Sequence, residues 1–467
     1  MMLTDSRVVA NREPVYDAAV VGAGIVGLAA ALALARNGYR IALIERTPPK
    51  RLRGALGFDL RTVALTPASV DFLRAVGAVE EPDLAPIESM RVWEYDGSGS
   101  LGFEGALDSS TDADVRAPFG FGPTVGTAPG RLGHARGALA FVAENSVLAT
   151  RLWDVAADCL DIVSPASVVG LTQRPDAVVL DGPDVVARLV VGADGANSIV
   201  RKLAETPLRY EPPYRGGPQR AIATVAQATR SHGDTAFQRF GRSGPVALLP
   251  LRGGGVEENG SESALHHRRV SVIWSANETD IERLESLDDE AFRRALGVET
   301  EGVLGDFVAV DRRLSFPVRQ ALAVDLNPNP RTLIIGDAAR TLHPLAGQGV
   351  NVGLEDVRGL VANATYSDLG APGLWGGFSR ERRIRSKLMM ASMRGLLAAY
   401  CGPHAGNPWM RLARNAGVRF IDGAPGVKAQ LIREAMGFGP LAVRRGKPGG
   451  ESNASCPPGR THRSGLS

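Results

Sequence analysis

A glycine-rich turn near the start of the chain constrains the fold more than any other feature. It joins a short apolar run, residues 18–21, to an alanine- and leucine-rich helix pattern that continues to residue 35. Glycines in such a turn permit a tight bend, let the backbone approach a pyrophosphate, and let the helix pack closely on the strand. The turn therefore predicts a β-α-β unit that binds a dinucleotide at the helix N-terminus. The residues expected to contact the nucleotide are Gly22, Gly24, Ile25, Val26 and Gly27.

An acidic residue in the right place strengthens this interpretation. Glu45 ends the second strand pattern of the unit, 23 residues after Gly22. A carboxylate there can accept hydrogen bonds from an adenosine ribose, and it disfavours a 2′-phosphate. We therefore expect Glu45 and the adjacent Arg46 to contact the cofactor. The unit alone does not distinguish NAD from FAD.

The same segment could be mistaken for a membrane span. Residues 18–35 are uncharged and mostly apolar, close to the length that crosses a bilayer. Three closely spaced glycines interrupt the run, and the pattern divides into a β-branched strand and a helix. We predict a buried strand, turn and helix instead of a span.

Composition and charge exclude several other classes. A chain of 467 residues exceeds what a single hydrophobic core supports, so more than one structural unit is expected. The formal charge of +3 comes from residues 441–467, which carry five basic residues and one acidic residue. No nucleic-acid surface is therefore expected. The N-terminus has charges where a signal peptide needs an apolar stretch, which predicts a cytoplasmic protein.

Neither cysteine nor histidine indicates a metal. Cys159, Cys401 and Cys456 are far apart, without the spacing of a zinc site or the density of a disulfide framework. His266 and His267 are adjacent, but no carboxylate or cysteine stands at ligand spacing from them. The sequence therefore predicts no metal site.

A distant segment decides the identity of the dinucleotide. Residues 336–344 read GDAARTLHP, and residues 347–353 read GQGVNVG. Together they resemble the second FAD fingerprint of the para-hydroxybenzoate hydroxylase class of flavin monooxygenases. In that class the aspartate binds the ribityl chain and the glycine-rich helix start lies against the isoalloxazine. By this resemblance the FAD-contacting residues are Asp337, Gly347, Gln348, Gly349, Val350 and Asn351. His343 and Pro344 would border the flavin and the substrate pocket.

A third segment resembles the DG motif of the same class. Residues 192–198 read GADGANS, with Arg201 after them. The resemblance implies that Asp194 contributes to cofactor binding. The alternative is that Asp194 forms an Asx turn that caps the following helix.

A closer resemblance is to the hydroxylases of ubiquinone biosynthesis, over about residues 16 to 440. The matching segments are 61–69, 142–145, 238–240, 244–251, 315–317, 414–417 and 428–437. It implies that Arg61 lies near the FAD phosphates, where a guanidinium supplies paired hydrogen bonds. A solvated helix charge is the alternative for Arg61. Two glycine-rich stretches, 105–134 and 253–268, depart from the family pattern.

The resemblance and the strand patterns together predict the fold class. We expect an α/β protein with a Rossmann-type FAD-binding domain, an inserted, mainly antiparallel substrate-binding sheet and a C-terminal helical region. The expected boundaries are 1–15 for a disordered lead, 16–86, 132–205 and 320–366 for the FAD-binding domain, 87–131 and 206–319 for the substrate-binding domain, 367–440 for the helical region, and 441–467 for a disordered tail.

The implied activity is hydroxylation of a phenolic, polyprenylated ubiquinone precursor, with FAD, dioxygen and NADPH or NADH. The cofactor supplies the chemistry, so no protein catalytic residue is assigned. Whether His343 is an acid–base group or a packed histidine stays open. The alternatives are another flavin oxidoreductase (an oxidase, reductase or epoxidase) on the same fold and a non-catalytic FAD-binding subunit of a quinone-biosynthesis complex. The substrate implies contact with quinone-biosynthesis proteins or peripheral contact with the inner face of a membrane.

Overall fold

The computed structural model describes residues 16–80, 83–95, 100–104, 138–211, 217–252, 267–343, 348–401 and 407. The strands are β1 (Tyr16–Val21), β2 (Ile41–Ile44), β3 (Thr62–Leu65), β4 (Ala85–Ile87), β5 (Ser89–Glu94), β6 (Ser100–Glu104), β7 (Ala140–Glu144), β8 (Asp161–Val163), β9 (Gly170–Gln173), β10 (Val178–Asp181), β11 (Val185–Gly192), β12 (Leu208–Tyr210), β13 (Gln219–Ala228), β14 (Thr235–Phe240), β15 (Pro245–Pro250), β16 (Arg269–Asn277), β17 (Phe307–Val310), β18 (Leu314–Val318), β19 (Ala321–Ala323), β20 (Thr332–Ile334) and β21 (Arg340–Thr341).

The helices are α1 (Ile25–Arg36), α2 (Pro67–Ala75), α3 (Asn145–Cys159), α4 (Ile199–Leu203), α5 (Glu278–Ser286), α6 (Asp289–Glu299), α7 (Gln348–Asn363) and α8 (Gly376–Cys401). A short 3-10 helix spans Gly336–Ala338. Within the described ranges, every helix is too short or too polar to cross a bilayer. The apolar run 18–35 forms most of β1, the glycine turn and most of α1, as the glycine spacing predicted.

The first sheet is built around a parallel core. Strands β8, β2, β1 and β11 lie side by side in parallel, and β20 pairs in parallel with the second half of β11. Strands β10 and β9 extend the sheet in the antiparallel direction. The central strands are continuous apolar runs because both of their faces are covered. Helix α1, which is apolar on nearly all sides, is buried between this sheet and helices α3 and α7.

The topology brings the three sequence motifs to one edge. Strands β1, β11 and β20 are neighbours, and their last residues, Val21, Gly192 and Ile334, are in register. The carboxyl ends of parallel strands open at the same edge of a sheet, which is where open α/β sheets bind ligands. The glycine turn, residues 192–198 (the DG segment) and residues 336–340 (the GD segment) therefore emerge side by side.

The second sheet is mainly antiparallel. Its order is β17-β13-β16-β15-β14-β5-β6, with β18 paired to β13, and the pair β5 and β14 alone is parallel among the described strands. Helices α5 and α6 pack their apolar residues on it around Phe292 and Leu296. Two small antiparallel sheets, β3-β7-β4 and β12-β19-β21, lie beside the two large ones.

The predicted fold class is confirmed: a Rossmann-type parallel sheet, a mainly antiparallel second sheet and a C-terminal helix are all present. The eight-stranded sheet takes its strands from residues 89–104 and 219–318. The exact domain boundaries stay a prediction. The expected lead 1–15, most of the helical segment beyond residue 401 and the tail 441–467 lie outside the described residues.

Candidate functional site

The glycine turn has the geometry that a bound pyrophosphate requires. Gly22 has a φ of +106°, and a Cβ there would lie 2.6 Å from the carbonyl oxygen of Ala193, so only glycine fits. A Cβ on Gly27 would overlap the carbonyl oxygen of Gly22, because α1 packs directly on the turn. Gly24 differs from both, since no atom lies within 4 Å of a Cβ built on it. Gly24 therefore faces open space where a ligand can approach the backbone.

The N-terminus of α1 is prepared for an anion. Gly24 is the N-cap, no side chain caps the helix, and the first turn contains no acidic residue. The first backbone N–H groups of a helix have no partner within the helix, and the helix dipole places positive charge there. Ile25 is buried in the core, so it can offer only its backbone to a ligand. These groups can bind a diphosphate without any basic side chain.

Glu45 lies against the turn, as its position in the sequence predicted. Its Oε2 accepts a hydrogen bond from the backbone N–H of Ala23 at 2.6 Å, and its Oε1 accepts one from Thr47 N–H at 2.8 Å. Each carboxylate oxygen can accept a second hydrogen bond, so ribose hydroxyls remain acceptable partners. The neighbouring Arg46 is exposed.

Asp337 lies across the edge from the glycine turn. A Cβ on Gly349 would be 3.8 Å from its Oδ1, so the carboxylate and the start of α7 are adjacent. The Asp337 side chain is exposed to solvent but lies in a recess of the protein. Desolvation by the surrounding protein raises the pKa of its carboxyl. An accessible carboxylate in a recess of the protein can accept hydrogen bonds from a polyhydroxylated chain.

Val26 joins the first motif to the second. A Cβ on Gly336 would lie 3.1 Å from Val26 Cγ1, and one on Gly353 would lie 2.5 Å from Val26 Cγ2. The side chain of Val26 therefore fills the space that these two glycines leave. Val350 is partly buried against the same core. Val26, which the sequence predicts to contact the cofactor, therefore also packs the two motifs together.

Asn351 has a structural role that the sequence did not predict. It is buried, its Oδ1 accepts from Thr66 N–H at 2.9 Å, and its Nδ2 donates to the carbonyl oxygen of Ala64 at 2.7 Å. The side chain thus ties α7 to the end of β3. Gly347 and Pro344 lie outside the described residues, as does the side chain of Gln348.

Asp194 caps a helix, which was the alternative considered for it. Its Oδ2 accepts from Ile199 N–H at 2.6 Å and from Val200 N–H at 3.2 Å, at the start of α4. Its Oδ1 is buried and has no hydrogen-bond partner in the described part of the chain. Arg201, on the same helix, donates to the carbonyl oxygen of Ala338 at 2.7 Å, so the DG and GD segments are held together. The contribution of Asp194 to cofactor binding stays a prediction.

Arg61 is exposed and lines a cavity of about 180 Å³. The cavity is lined by Leu52, Arg53, Gly54, Asp59, Leu60, Arg61, Arg312 and Leu314. Three of these residues are arginines, so the cavity is suited to an anionic group. The alternative for Arg61 was a solvated charge on a helix. Arg61 is not in a helix, because it directly precedes β3.

A buried ionic network that was not predicted from the sequence holds the second motif. Asp356 is fully buried, and its Oδ2 accepts from Arg340 Nη2 at 2.7 Å and from Gly336 N–H at 3.0 Å. Its Oδ1 accepts from Arg382 Nε at 2.7 Å. Arg382 also donates to Glu355. One carboxylate on α7 thereby fixes the GD segment and α8, although the sequence signal was only an aspartate within a helical pattern.

His343 lies between the GD segment and the second sheet. It is buried, and its Nε2 is 3.1 Å from Oε1 of Gln219, the first residue of β13. Burial lowers the pKa of His343 to about 4, so the imidazole is neutral at physiological pH. A neutral, hydrogen-bonded histidine in this position can orient a neighbouring group, but it is not poised to exchange protons near pH 7. Sequence analysis gave no signal for Gln219.

The shifted pKa of His343 predicts a loss of stability in mild acid. An unfolded histidine binds its proton below about pH 6.5, whereas the folded one binds it only below about pH 4, so protons favour unfolding between these values. We expect the free energy of unfolding to fall by about 2 kcal/mol between pH 7.5 and pH 5 from this residue. Urea unfolding of the purified protein and of His343→Gln at both pH values measures it. Equal pH dependence of the two proteins would contradict the prediction.

The described residues fit FAD. The open face at Gly24, the uncapped start of α1, Glu45 and the accessible Asp337 lie along one sheet edge in the order that a dinucleotide needs, from phosphates and ribose to ribityl chain.

Two family models match the chain. One is described as an FAD binding domain and matches residues 163–391, and the other, an FAD dependent oxidoreductase, matches residues 17–56. The first includes the DG and GD segments, and the second includes the glycine turn and Glu45. Both matches fall on the elements that form the edge described above.

Relatives match nearly the whole chain. Ubiquinone hydroxylase UbiL of Rhodospirillum rubrum is 30% identical over 94% of this chain and 95% of its own length. The 3-demethoxyubiquinol 3-hydroxylase of Escherichia coli is 28% identical over 90% of this chain and 98% of its own length. Among solved structures, p-nitrophenol 4-monooxygenase PnpA from Pseudomonas putida superposes with a TM-score of 0.67 at 17% identity, covering 92% of this chain and 100% of that one. The structural likeness concerns the fold.

Proposed function

The chain belongs to the family of FAD-dependent hydroxylases of ubiquinone biosynthesis, and from that premise we propose that it hydroxylates a phenolic, polyprenylated ubiquinone precursor. The observation that carries the proposal is the convergence of three FAD motifs on one sheet edge, in a chain that matches such a hydroxylase over 94% of its length. The reaction inserts one oxygen atom of dioxygen into the ring and reduces the other to water, with NADPH or NADH as the electron donor.

Bound FAD supplies the redox chemistry and the activation of dioxygen. The residues of the chain bind and orient it. Backbone N–H groups at the start of α1 would bind the pyrophosphate, Glu45 would accept from the ribose, and Asp337 would accept from the ribityl chain. The N-terminal end of α7 would contribute a positive helix dipole, which favours negative charge on the flavin.

The proposed site for the phosphates of the reductant, NADPH or NADH, is the arginine-lined cavity. Arg53, Arg61 and Arg312 line it from two segments of the chain, together with three leucines, Gly54 and Asp59. Both carboxylate oxygens of Asp59 already accept backbone N–H groups, from Arg61 and Ser146. Guanidinium groups form paired hydrogen bonds with phosphate oxygens. The proposal is that Arg61 binds phosphate in this cavity or, as the family resemblance implies, contacts the phosphates of FAD.

The substrate class implies a location. A polyprenyl chain partitions into a bilayer, so the proposed enzyme makes peripheral contact with the inner face of a membrane or with other quinone-biosynthesis proteins that present the substrate. Co-sedimentation with anionic vesicles, with and without residues 441–467, tests whether the basic tail takes part.

Oxygen-18 labelling tests the function. The FAD-loaded protein, NADPH or NADH and a short-chain prenylated phenol are incubated under ¹⁸O₂, and the product is analysed by mass spectrometry. We expect one ¹⁸O atom in a ring hydroxyl and oxidation of the nicotinamide that the phenol stimulates. A flavin oxidase or reductase would give no labelled phenol. A non-catalytic subunit would show no stimulated oxidation.

A further inference from the structure

Three metal-binding side chains meet at one end of the eight-stranded sheet. His232 and Asp234 lie in the turn between β13 and β14, and His267 lies just before β16. One ligand atom of each is within 4.8 Å of those of the other two. Sequence spacing did not reveal the group, because the carboxylate and the first histidine come from a segment far from His267 in the chain.

The ring of His232 is oriented as in a metal ligand. Its Nε2 lies 3.3 Å from the carbonyl oxygen of Leu251, and its Nδ1 accepts the backbone N–H of Asp234 at 3.1 Å. Because Nδ1 accepts that N–H, the neutral ring carries its proton on Nε2, and Nδ1 lies 3.8 Å from Oδ1 of Asp234. Metal-binding histidines commonly donate their second ring N–H to a backbone carbonyl in this way.

The two carboxylate oxygens of Asp234 differ in their contacts. Asp234 Oδ2 is paired with Arg252 Nη2 at 2.5 Å. Oδ1 is buried and has no hydrogen-bond donor among the described residues. A buried acceptor without a donor is costly. A cation bound by this Oδ1 and by Nδ1 of His232 would remove that cost.

The backbone also holds Asp234 in place. Its φ is +51°, in the left-handed region that few residues other than glycine adopt, although aspartate tolerates it better than most. Its carbonyl oxygen accepts from Glu88 N–H at 2.9 Å, and His232 N–H donates to the carbonyl oxygen of His267 at 2.8 Å. The ligand-bearing segments are thus tied to each other and to the start of β5.

We propose that His232, Asp234 and His267 bind one Zn²⁺ ion, with water in a fourth position. Two imidazole nitrogens and one carboxylate oxygen are a zinc donor set, whereas Mg²⁺ and Ca²⁺ prefer oxygen ligands alone. Tetrahedral coordination at about 2.0–2.2 Å places ligand atoms roughly 3.3 Å apart, so small side-chain rotations suffice. Binding displaces the hydrogen bond that Asp234 N–H donates to Nδ1. The ion would hold the turn between β13 and β14 against the residues that precede β16, and it would be structural.

Zinc titration of tag-free, FAD-loaded, chelator-treated protein tests the site. Calorimetry should give one Zn²⁺ per chain, and Co²⁺ should give the visible absorption bands of a tetrahedral complex. Asp234→Asn and His267→Gln should each weaken binding by at least ~10-fold, because the first replaces an anionic oxygen ligand with a neutral one and the second removes an imidazole ligand. Arg252→Gln should strengthen binding, since it removes a competing cation. Asp306→Asn, an exposed carboxylate near the same sheet, is the control and should bind as the original chain does.

The outcomes separate the site from adventitious binding. Substoichiometric zinc, or equal binding by the original chain and by folded His267→Gln, would overturn the proposal. His267 is only partly buried, so its variant should fold even if Asp234→Asn does not. FAD content and circular dichroism verify folding of every variant.

Discussion

Gly24→Ala is expected to leave the fold intact and to weaken FAD binding by roughly 30-fold, about 2 kcal/mol. A Cβ at Gly24 meets no protein atom within 4 Å, and the residue has an ordinary φ of −72°. The added methyl group therefore costs the folded protein little. It occupies the space through which the turn approaches the pyrophosphate.

Gly27→Ala is the matched comparison, three residues further along the chain. Its Cβ would overlap the carbonyl oxygen of Gly22, which is backbone and cannot rotate away. We expect loss of both stability and FAD, with a destabilisation of about 1–3 kcal/mol or more from overpacking. Flavin-fluorescence titration and thermal unfolding of both variants measure the two effects. If Gly24→Ala binds FAD as tightly as the original chain, the phosphates do not lie over Gly24.

Asp356→Ala should destabilise the protein by about 3–5 kcal/mol, the cost of leaving buried charges without their partner. Asp356 is fully buried and accepts from Arg340, Arg382 and the backbone of Gly336. Without it, two buried guanidinium groups face each other around a cavity. FAD should be lost as well, because Gly336 and Arg340 flank Asp337.

Urea unfolding of Asp356→Ala and of a surface control measures this cost. Glu290→Ala removes an exposed ion pair with Arg294, whose contribution should be below about 1 kcal/mol. A similar small loss for both variants would show that the buried network is not what holds the GD segment.

Local signals were sufficient to predict the cofactor edge. The turn at Gly22 and the apolar runs that end at Asp194 and Asp337 each depend on residues close together in the chain. Parallel strands place their carboxyl ends at one edge, so the convergence of the three motifs followed once those strands were recognised. The packing of Val26 against Gly336 and Gly353 shows how closely the motifs depend on one another.

Side-chain partners far apart in sequence could not be predicted. The expected contact of Asn351 with the cofactor stays a prediction, whereas the hydrogen bonds of its side chain to the backbone of Ala64 and Thr66 had no local sequence signal. Asp356, Gln219 and the group around Asp234 gave no local signal, since their meaning arises only when distant segments meet. Periodicity identifies which face of an element is buried, but it does not identify which buried polar side chains pair.

A crystal structure of the FAD complex would show where the cofactor binds. We expect one FAD per chain, with its pyrophosphate over Gly24 at the start of α1 and its isoalloxazine ring beside Asp337 and the start of α7. Electron density for the nucleotide at any other edge of the parallel sheet, or a ring directed away from Asp337, would contradict this prediction.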